Sequence, residues 1–135
     1  MNNLSGISVS IVIPVRNNSE SLSSVLLAIK GQFLAPNEVI IVDSSTDNAV
    51  YELTNDFESD VPIIYHHEKK AYPGKARNIG ANLAKSEWIA FLDSKTIPDN
   101  GWLERYCHLI EAYQTDAVYG VTRFEVKSSF QKILR

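Results

Sequence analysis

Two aspartates stand directly after apolar runs, and a carboxylate in that position can do chemistry. Asp43 follows Val39-Ile-Ile-Val42, and Asp93 follows Trp88–Leu92. The Asp43 carboxylate can accept hydrogen bonds from a base N–H or from ribose hydroxyls. Its competing role is structural, as a helix cap or an Asx turn, although Asp47 is the better cap. Gly74-Lys-Ala-Arg-Asn-Ile-Gly80 opens a helical pattern behind a polar loop. Free N–H groups at a helix start favour anions, and Arg77 adds a fork of donors suited to phosphate or a base edge. The competing reading is a solvated Lys and Arg on an exposed first turn. Asp93-Ser94-Lys95 sets a carboxylate two residues from an ammonium. His66-His67-Glu68 holds metal-ligating residue types, yet neighbours on an extended chain point to opposite faces and do not converge on one ion. His108 and Cys107 fall inside a helical pattern, where a half-buried thiol and an unpartnered imidazole need no function. No Gly-x-Gly-x-x-Gly, P-loop or Ser-His-Asp pattern is present.

The elements that must position these residues alternate along the chain. Val9–Ile13 is a strand, expected to stop at Pro14. Asn17 followed by Glu20 resembles a capping box, and Leu22, Val25, Leu26, Ile29 and Phe33 recur at helical spacing, so the first helix spans about Asn18 to Lys30. Gly31 ends it. Val39–Val42 is continuously apolar and β-branched, as in a strand covered on both faces. A short helix with an inner face of Val50, Leu53 and Phe57 follows, then a third strand, Pro62–Tyr65. Ala76, Ile79, Gly80 and Leu83 mark the next helix, whose small residues permit close packing. Trp88–Leu92 is the fourth strand. After the Pro98–Gly101 turn, Trp102, Leu103, Tyr106, Leu109, Ile110 and Tyr113 form an amphipathic helix. Ala117–Val121 reads as a fifth strand and Ser128–Arg135 as the start of another helix. Strands alternating with helices imply right-handed βαβ units and a mainly parallel sheet, with ligands bound outside the carboxyl ends of the strands. Asp43 and Asp93 then share one rim.

At 135 residues the chain fits one domain, taken as 1–135, with 44% apolar and 21% charged residues. A formal net charge of −3, with thirteen scattered Lys and Arg, argues against a nucleic-acid partner. The single cysteine excludes an intrachain disulfide, and Met1–Ser8 lacks the pattern of a secretory signal. A cytoplasmic setting is expected.

Taken in order, four stretches resemble the nucleotide-binding half of family 2 glycosyltransferases with the GT-A fold. They are Val9-Ser-Ile-Val-Ile-Pro-Val15-Arg-Asn17, Glu38–Asp47, Gly74–Gly80 and Trp88–Lys95, within a resemblance that runs from about Ser8 to Val121. The resemblance implies an α/β domain with a mainly parallel sheet and helices on both faces, truncated before the acceptor half. It also implies a nucleoside diphosphate sugar as ligand and inverting transfer of the sugar to an acceptor hydroxyl. Residue by residue it gives Pro14, Val15 and Asp43 to the nucleoside, and Arg77 to the base or the diphosphate. Asp93 becomes the first acid of the family's metal-binding Asp-x-Asp motif. A sugar nucleotidyltransferase would instead carry a Gly- and Arg-rich loop after the first strand, and a phosphorelay receiver an acidic pair there. Val15-Arg-Asn-Asn18 is neither.

Two departures from the family pattern follow. Lys95 stands where the last acid of Asp-x-Asp belongs. An ammonium ~4 Å from a divalent ion feels roughly 8 kcal/mol of repulsion at an effective dielectric of ~20. A single carboxylate is also a poor site for Mn or Mg. The expectation is therefore a weak or absent metal site at Asp93, with Lys95 joining the nucleotide-sugar-binding set. Secondly, the acidic motif carrying the general base and the Gln-x-x-Arg-Trp segment are both absent before Arg135, which leaves an excised piece, a natural short form or a degenerate paralogue open. Donor binding with little turnover is expected from these residues, the alternative being a non-catalytic nucleotide- or protein-binding domain on the same scaffold. A sheet cut at that point would expose Phe124, Val126, Phe130, Ile133 and Leu134, which could drive homo-oligomer formation. Ser128–Arg135 is too short to anchor in a membrane.

Overall fold

The computed structural model of the chain describes residues 6–120. The expectations placed on Val121, on Phe124 to Leu134 and on a helix at Ser128–Arg135 lie outside the described residues.

Sequence rich in Val and Ile makes the two central strands, β1 (Val9–Val15) and β2 (Glu38–Asp43). All of β2 is buried, as a strand covered on both faces must be. β3 (Ile63–His67) and β4 (Trp88–Phe91) flank them in the order β3-β2-β1-β4, with every pairing parallel. Alternating residues feed two layers. Ile11, Ile13, Val39 and Ile41 pack with Leu22, Val25, Leu26 and Ile29 of α1 (Ser19–Lys30) and with Val50 of α2 (Ala49–Asp56). Val12, Ile40 and Val42 face the other way, onto Ala76 of α3 (Pro73–Leu83). α4 (Trp102–Tyr113) buries Leu103 and Cys107 against Val9 and Leu34. Helices thus cover both faces. The Cys107 thiol is pushed up in pKa by burial and then by nearby Glu111, as befits a packed cysteine.

α3 approaches the sheet closely because Gly80 has no side chain; a Cβ there would overlap the Val12 side chain. Away from the carboxyl edge, the start of the sheet is tied by a buried carboxylate. Glu38 accepts from the Ser10 hydroxyl at 2.5 Å and from the Lys85 N–H at 2.6 Å, joining β1, β2 and the turn before β4.

Four local expectations are corrected. Pro14 does not end β1, which runs on to Val15 with Pro14 paired in register to Val42. Alternation puts Pro14 on the same flank as Val12, whose carbonyl accepts from the Leu92 N–H as the β4 pairing runs out. Its missing N–H therefore falls where no ladder partner is needed. The helix cap is Asn18, whose Oδ1 accepts from the Ser21 N–H at 3.3 Å. Asn17 instead adopts φ 51° and turns its side chain to the Thr46 N–H at 2.9 Å, pinning the β1 loop to the β2 loop. Phe33, outside α1, is exposed. Lastly, Ala117–Gly120 forms no strand; among the described residues it pairs with no neighbour, and Tyr119 is 90% exposed.

Candidate functional site

The strand order sets the site. The chain leaves β1 through α1 towards β2 and β3, whereas β4 is added on the opposite flank of β1. A crevice opens between connections that diverge in this way, at the carboxyl ends of β1 and β4. There the structure holds a cavity of about 730 Å³. Pro14, Val15 and Arg16 form its β1 wall, and Asp93, Ser94 and Lys95 form its β4 wall. The third wall is the first turn of α3, with Ala76 and Arg77, and the loop before it, with Lys70 and Tyr72.

The local folding of each wall follows from its sequence. After β4, Asp93 closes an Asx turn: its Oδ1 accepts the Lys95 N–H at 2.8 Å, and its carbonyl accepts the Thr96 N–H. The Lys95 backbone, not its ammonium, therefore meets the aspartate. Pro73 at the first helical position starts α3 without sacrificing a bonded N–H, and no side chain caps that end. The helix start, where backbone donors have no intrahelical partner, opens beside the cavity. Lys70 sits at φ 58°, a left-handed conformation uncommon for lysine that bends the loop ahead of the helix. Arg16 reaches across to the Ser44 carbonyl at 3.5 Å.

Five of the six residues singled out from the sequence, Pro14, Val15, Arg77, Asp93 and Lys95, meet around this one cavity. Asp43 is at the same edge of the sheet but is not among the lining residues, and none of its surface is exposed. Its two oxygens are engaged from within. Oδ1 accepts the Ser45 N–H at 2.9 Å, and Oδ2 accepts the Tyr65 hydroxyl at 2.6 Å. Burial foremost, then this bond and the negative charge of Asp43, push the Tyr65 hydroxyl well above the usual tyrosine range. The histidines part as alternation requires: His66 turns to Glu68 at 3.3 Å and His67 to the Ser45 carbonyl at 3.1 Å.

Sequence reasoning missed Arg16, Lys70, Tyr72 and Ser94 as lining residues. For Arg16 and Lys70 the signal was slight, since cations in polar loops are ordinary. Tyr72 gave a better one. An aromatic residue directly before Pro73-Gly74 at a helix start has little core to join, and it is 81% exposed at the cavity.

Residues 10–135 match the family model described as glycosyl transferase family 2. The chain belongs to this family. Among curated relatives it is 35% identical over 99 residues to the pre-mycofactocin glycosyltransferase of Mycobacterium tuberculosis, covering 71% of this chain and 19% of the relative. It is 30% identical over 121 residues to the glycosyltransferase AglE of Haloferax volcanii, covering 86% and 40%. The chain thus spans about a fifth of the length of the first relatives it matches. Among solved structures, S. aureus TarS residues 1–349 in complex with UDP superimposes with a TM-score of 0.74 at 22% identity, covering 91% of this chain and 39% of that one. The mannosyltransferase PcManGT of Pyrobaculum calidifontis, in complex with GDP-Man and Mn2+, gives a TM-score of 0.60 at 24% identity, over 67% and 28%. These structures share the GT-A fold of this family 2 domain.

A magnesium or manganese ion seeks several oxygen ligands in one place. Among the described residues, Asp93 is the only carboxylate lining this family 2 cavity, and one of its oxygens is already held by the Lys95 N–H. No group of three or more His, Cys, Asp or Glu converges anywhere among the described residues. The described residues lining this site, with one partly engaged carboxylate, do not by themselves fit a divalent ion. No helix among the described residues is long and apolar enough to cross a membrane.

Proposed function

We propose that the cavity is a donor site that binds a nucleoside diphosphate sugar. The observation that carries this reading is the meeting of Pro14, Val15, Arg77, Asp93 and Lys95 around one cavity at the switch point of the sheet. Pro14 and Val15 give the nucleoside a rigid apolar floor. Tyr72 offers an exposed ring on which a base can stack. Arg77 and the uncapped start of α3 supply donors for the diphosphate. Asp93 and Lys95 flank the place where the sugar would leave. Asp43 contributes from behind, holding the β2 loop in shape through Ser45 and Tyr65. Structures of relatives with UDP and with GDP-Man support a nucleotide ligand.

The reaction this site would serve is sugar transfer to an acceptor hydroxyl with inversion. The bond from the anomeric carbon to the diphosphate breaks, leaving its electron pair on the diphosphate oxygen. A bond to the acceptor oxygen forms on the opposite face, and a base takes the acceptor proton. The cavity supplies the donor side of that step. None of its residues is assigned as the base, so little turnover is expected from these 135 residues.

Isothermal titration with UDP, GDP and their sugars tests the reading. Binding of at least one of them, weakened about tenfold in Arg77→Gln by loss of a charge-assisted contact, is the expected result. Failure of all of them to bind at millimolar concentration would leave the donor-site reading without support. Robust transfer by the isolated chain would overturn the view that its base lies elsewhere.

A further inference from the structure

Building on the donor-site reading above, we infer that the diphosphate is held here without a divalent ion, by a clamp of Arg16, Lys70, Arg77 and Lys95. These four cations come from four separate places, the β1 loop, the loop before α3, the N-terminal part of α3 and the β4 loop, yet line one cavity. Against them, among the described residues, stands a single carboxylate, Asp93. The described lining residues thus carry a formal +3, four cations less one carboxylate, on a chain whose full sequence has a formal net charge of −3. A positive cavity on an acidic molecule is a feature the overall balance would not produce by itself.

None of the four forms an ion pair with a described residue. The ion pairs among the described residues join His66 and Lys75 to Glu68, and Arg105 to Asp99; none involves the cavity cations. All four side chains are exposed, so they pay little desolvation before a ligand arrives. An anion entering the cavity would supply the missing partner to several of them at once, and charge-assisted bonds are the strong kind. The uncapped start of α3 adds its dipole with the same sign. A divalent ion would meet the opposite situation. It would be repelled by each of the four cations and attracted by one carboxylate whose Oδ1 is already engaged. Lys95 stands two residues after Asp93, so its positive charge takes the place that a second acid would need to hold a metal. During transfer, negative charge grows on the departing diphosphate, and fixed cations stabilise it there.

The test is isothermal titration of UDP and GDP into the chain, first in excess EDTA and then in excess manganese. The clamp predicts dissociation constants that agree within about twofold between the two conditions. Lys70→Asn, which suits the left-handed backbone at that position, and Lys95→Gln should each weaken binding about tenfold in EDTA, the size of one charge-assisted contact. Lys95→Arg should retain most of the affinity. Lys95→Asp should bind poorly in EDTA and at least tenfold better in manganese. Thermal melts of all variants establish that they are folded. If the wild type binds only with manganese, the clamp is wrong while the donor site stands. If Lys70→Asn and Lys95→Gln bind as tightly as the wild type, the clamp is equally wrong. If neither nucleotide binds in either condition, the donor-site reading itself fails.

Discussion

Replacing Tyr65 by phenylalanine isolates the bond that holds the buried Asp43. Phenylalanine keeps the ring, and with it the edge-on contact to Tyr51 at 5.2 Å, while deleting the hydroxyl that Asp43 accepts at 2.6 Å. Asp43 has no exposed surface, so one carboxylate oxygen loses its donor in a place water reaches with difficulty. A hydrogen bond to a charged group contributes about 1.5–3 kcal/mol. Tyr65 is only partly buried, which lets water approach from its side and puts the expected loss near the lower end, about 1.5–2 kcal/mol. For a domain of this size that corresponds to a fall of roughly 6–8 °C in Tm. The pH dependence supplies an independent check. The Tyr65 hydroxyl is raised in the folded chain above the value of about 10 expected when unfolded. A raised pKa gives stability that is fully present below the unfolded value and is lost as pH rises towards the folded one. Above pH ~10 the unfolded chain releases this proton while the folded chain retains it, so wild-type stability falls with a slope that Tyr65→Phe lacks. The stability gap between the two proteins should therefore narrow above pH ~10. Urea unfolding followed by circular dichroism from neutral to alkaline pH measures both effects. A variant as stable as the wild type at pH 7 would mean that Asp43 does not depend on Tyr65. A gap that stayed constant with pH would mean that the hydroxyl does not titrate as its surroundings require.

Three further substitutions address the scaffold. Gly80→Ala should destabilise by about 1–2 kcal/mol despite alanine's better helix propensity, because its methyl group overlaps Val12. Chemical denaturation should show that adding Val12→Ala costs less than the two single changes summed, and simple additivity would contradict the proposed contact. Thr54→Val should leave stability unchanged or raise it by up to about 1 kcal/mol, since the buried Thr54 hydroxyl has no partner among the described residues; a clear loss in Tm would show that it has one. Asn17→Ala should cost about 1–2 kcal/mol, losing both the bonds to Thr46 and a residue that tolerates φ 51°, whereas Asn17→Gly should recover the backbone part alone.

What was legible in the sequence was whatever local pattern determines. Apolar runs, β-branched in all but the last, marked the four strands among the described residues, and helical spacing marked the four helices, because burial on a sheet or on a helix face imposes its period on the chain. The errors arose where a tertiary neighbour decided the outcome. Pro14 extends β1 because the β4 ladder has already ended on its flank, and no local rule could show where β4 would end. Asn17 yields the cap to Asn18 because Thr46, 29 positions away, takes its side chain. Ala117–Gly120 has an acceptable strand composition but no pairing neighbour among the described residues, and composition cannot supply one. The site divides along the same line. Asp43 and Asp93 were visible because each directly follows an apolar run, so strand direction alone put both on one rim. What that reasoning could not distinguish was inward from outward: Asp43 is buried, bonded to the Tyr65 hydroxyl and the Ser45 N–H. The cations were less visible still. Arg16, Lys70, Arg77 and Lys95 are ordinary solvated residues until β4 is placed beside β1 rather than beyond β3. With β4 beyond β3, the Lys95 loop would stand three strand spacings, roughly 14 Å, from the Arg16 loop, and the two would not flank one crevice. Placing β4 beside β1 brings both loops to one crevice, and the Gly80 contact seats α3 closely enough for its first turn to close the third wall. The positive character of the cavity is thus a property of strand order, which is why a chain of net negative charge can present it.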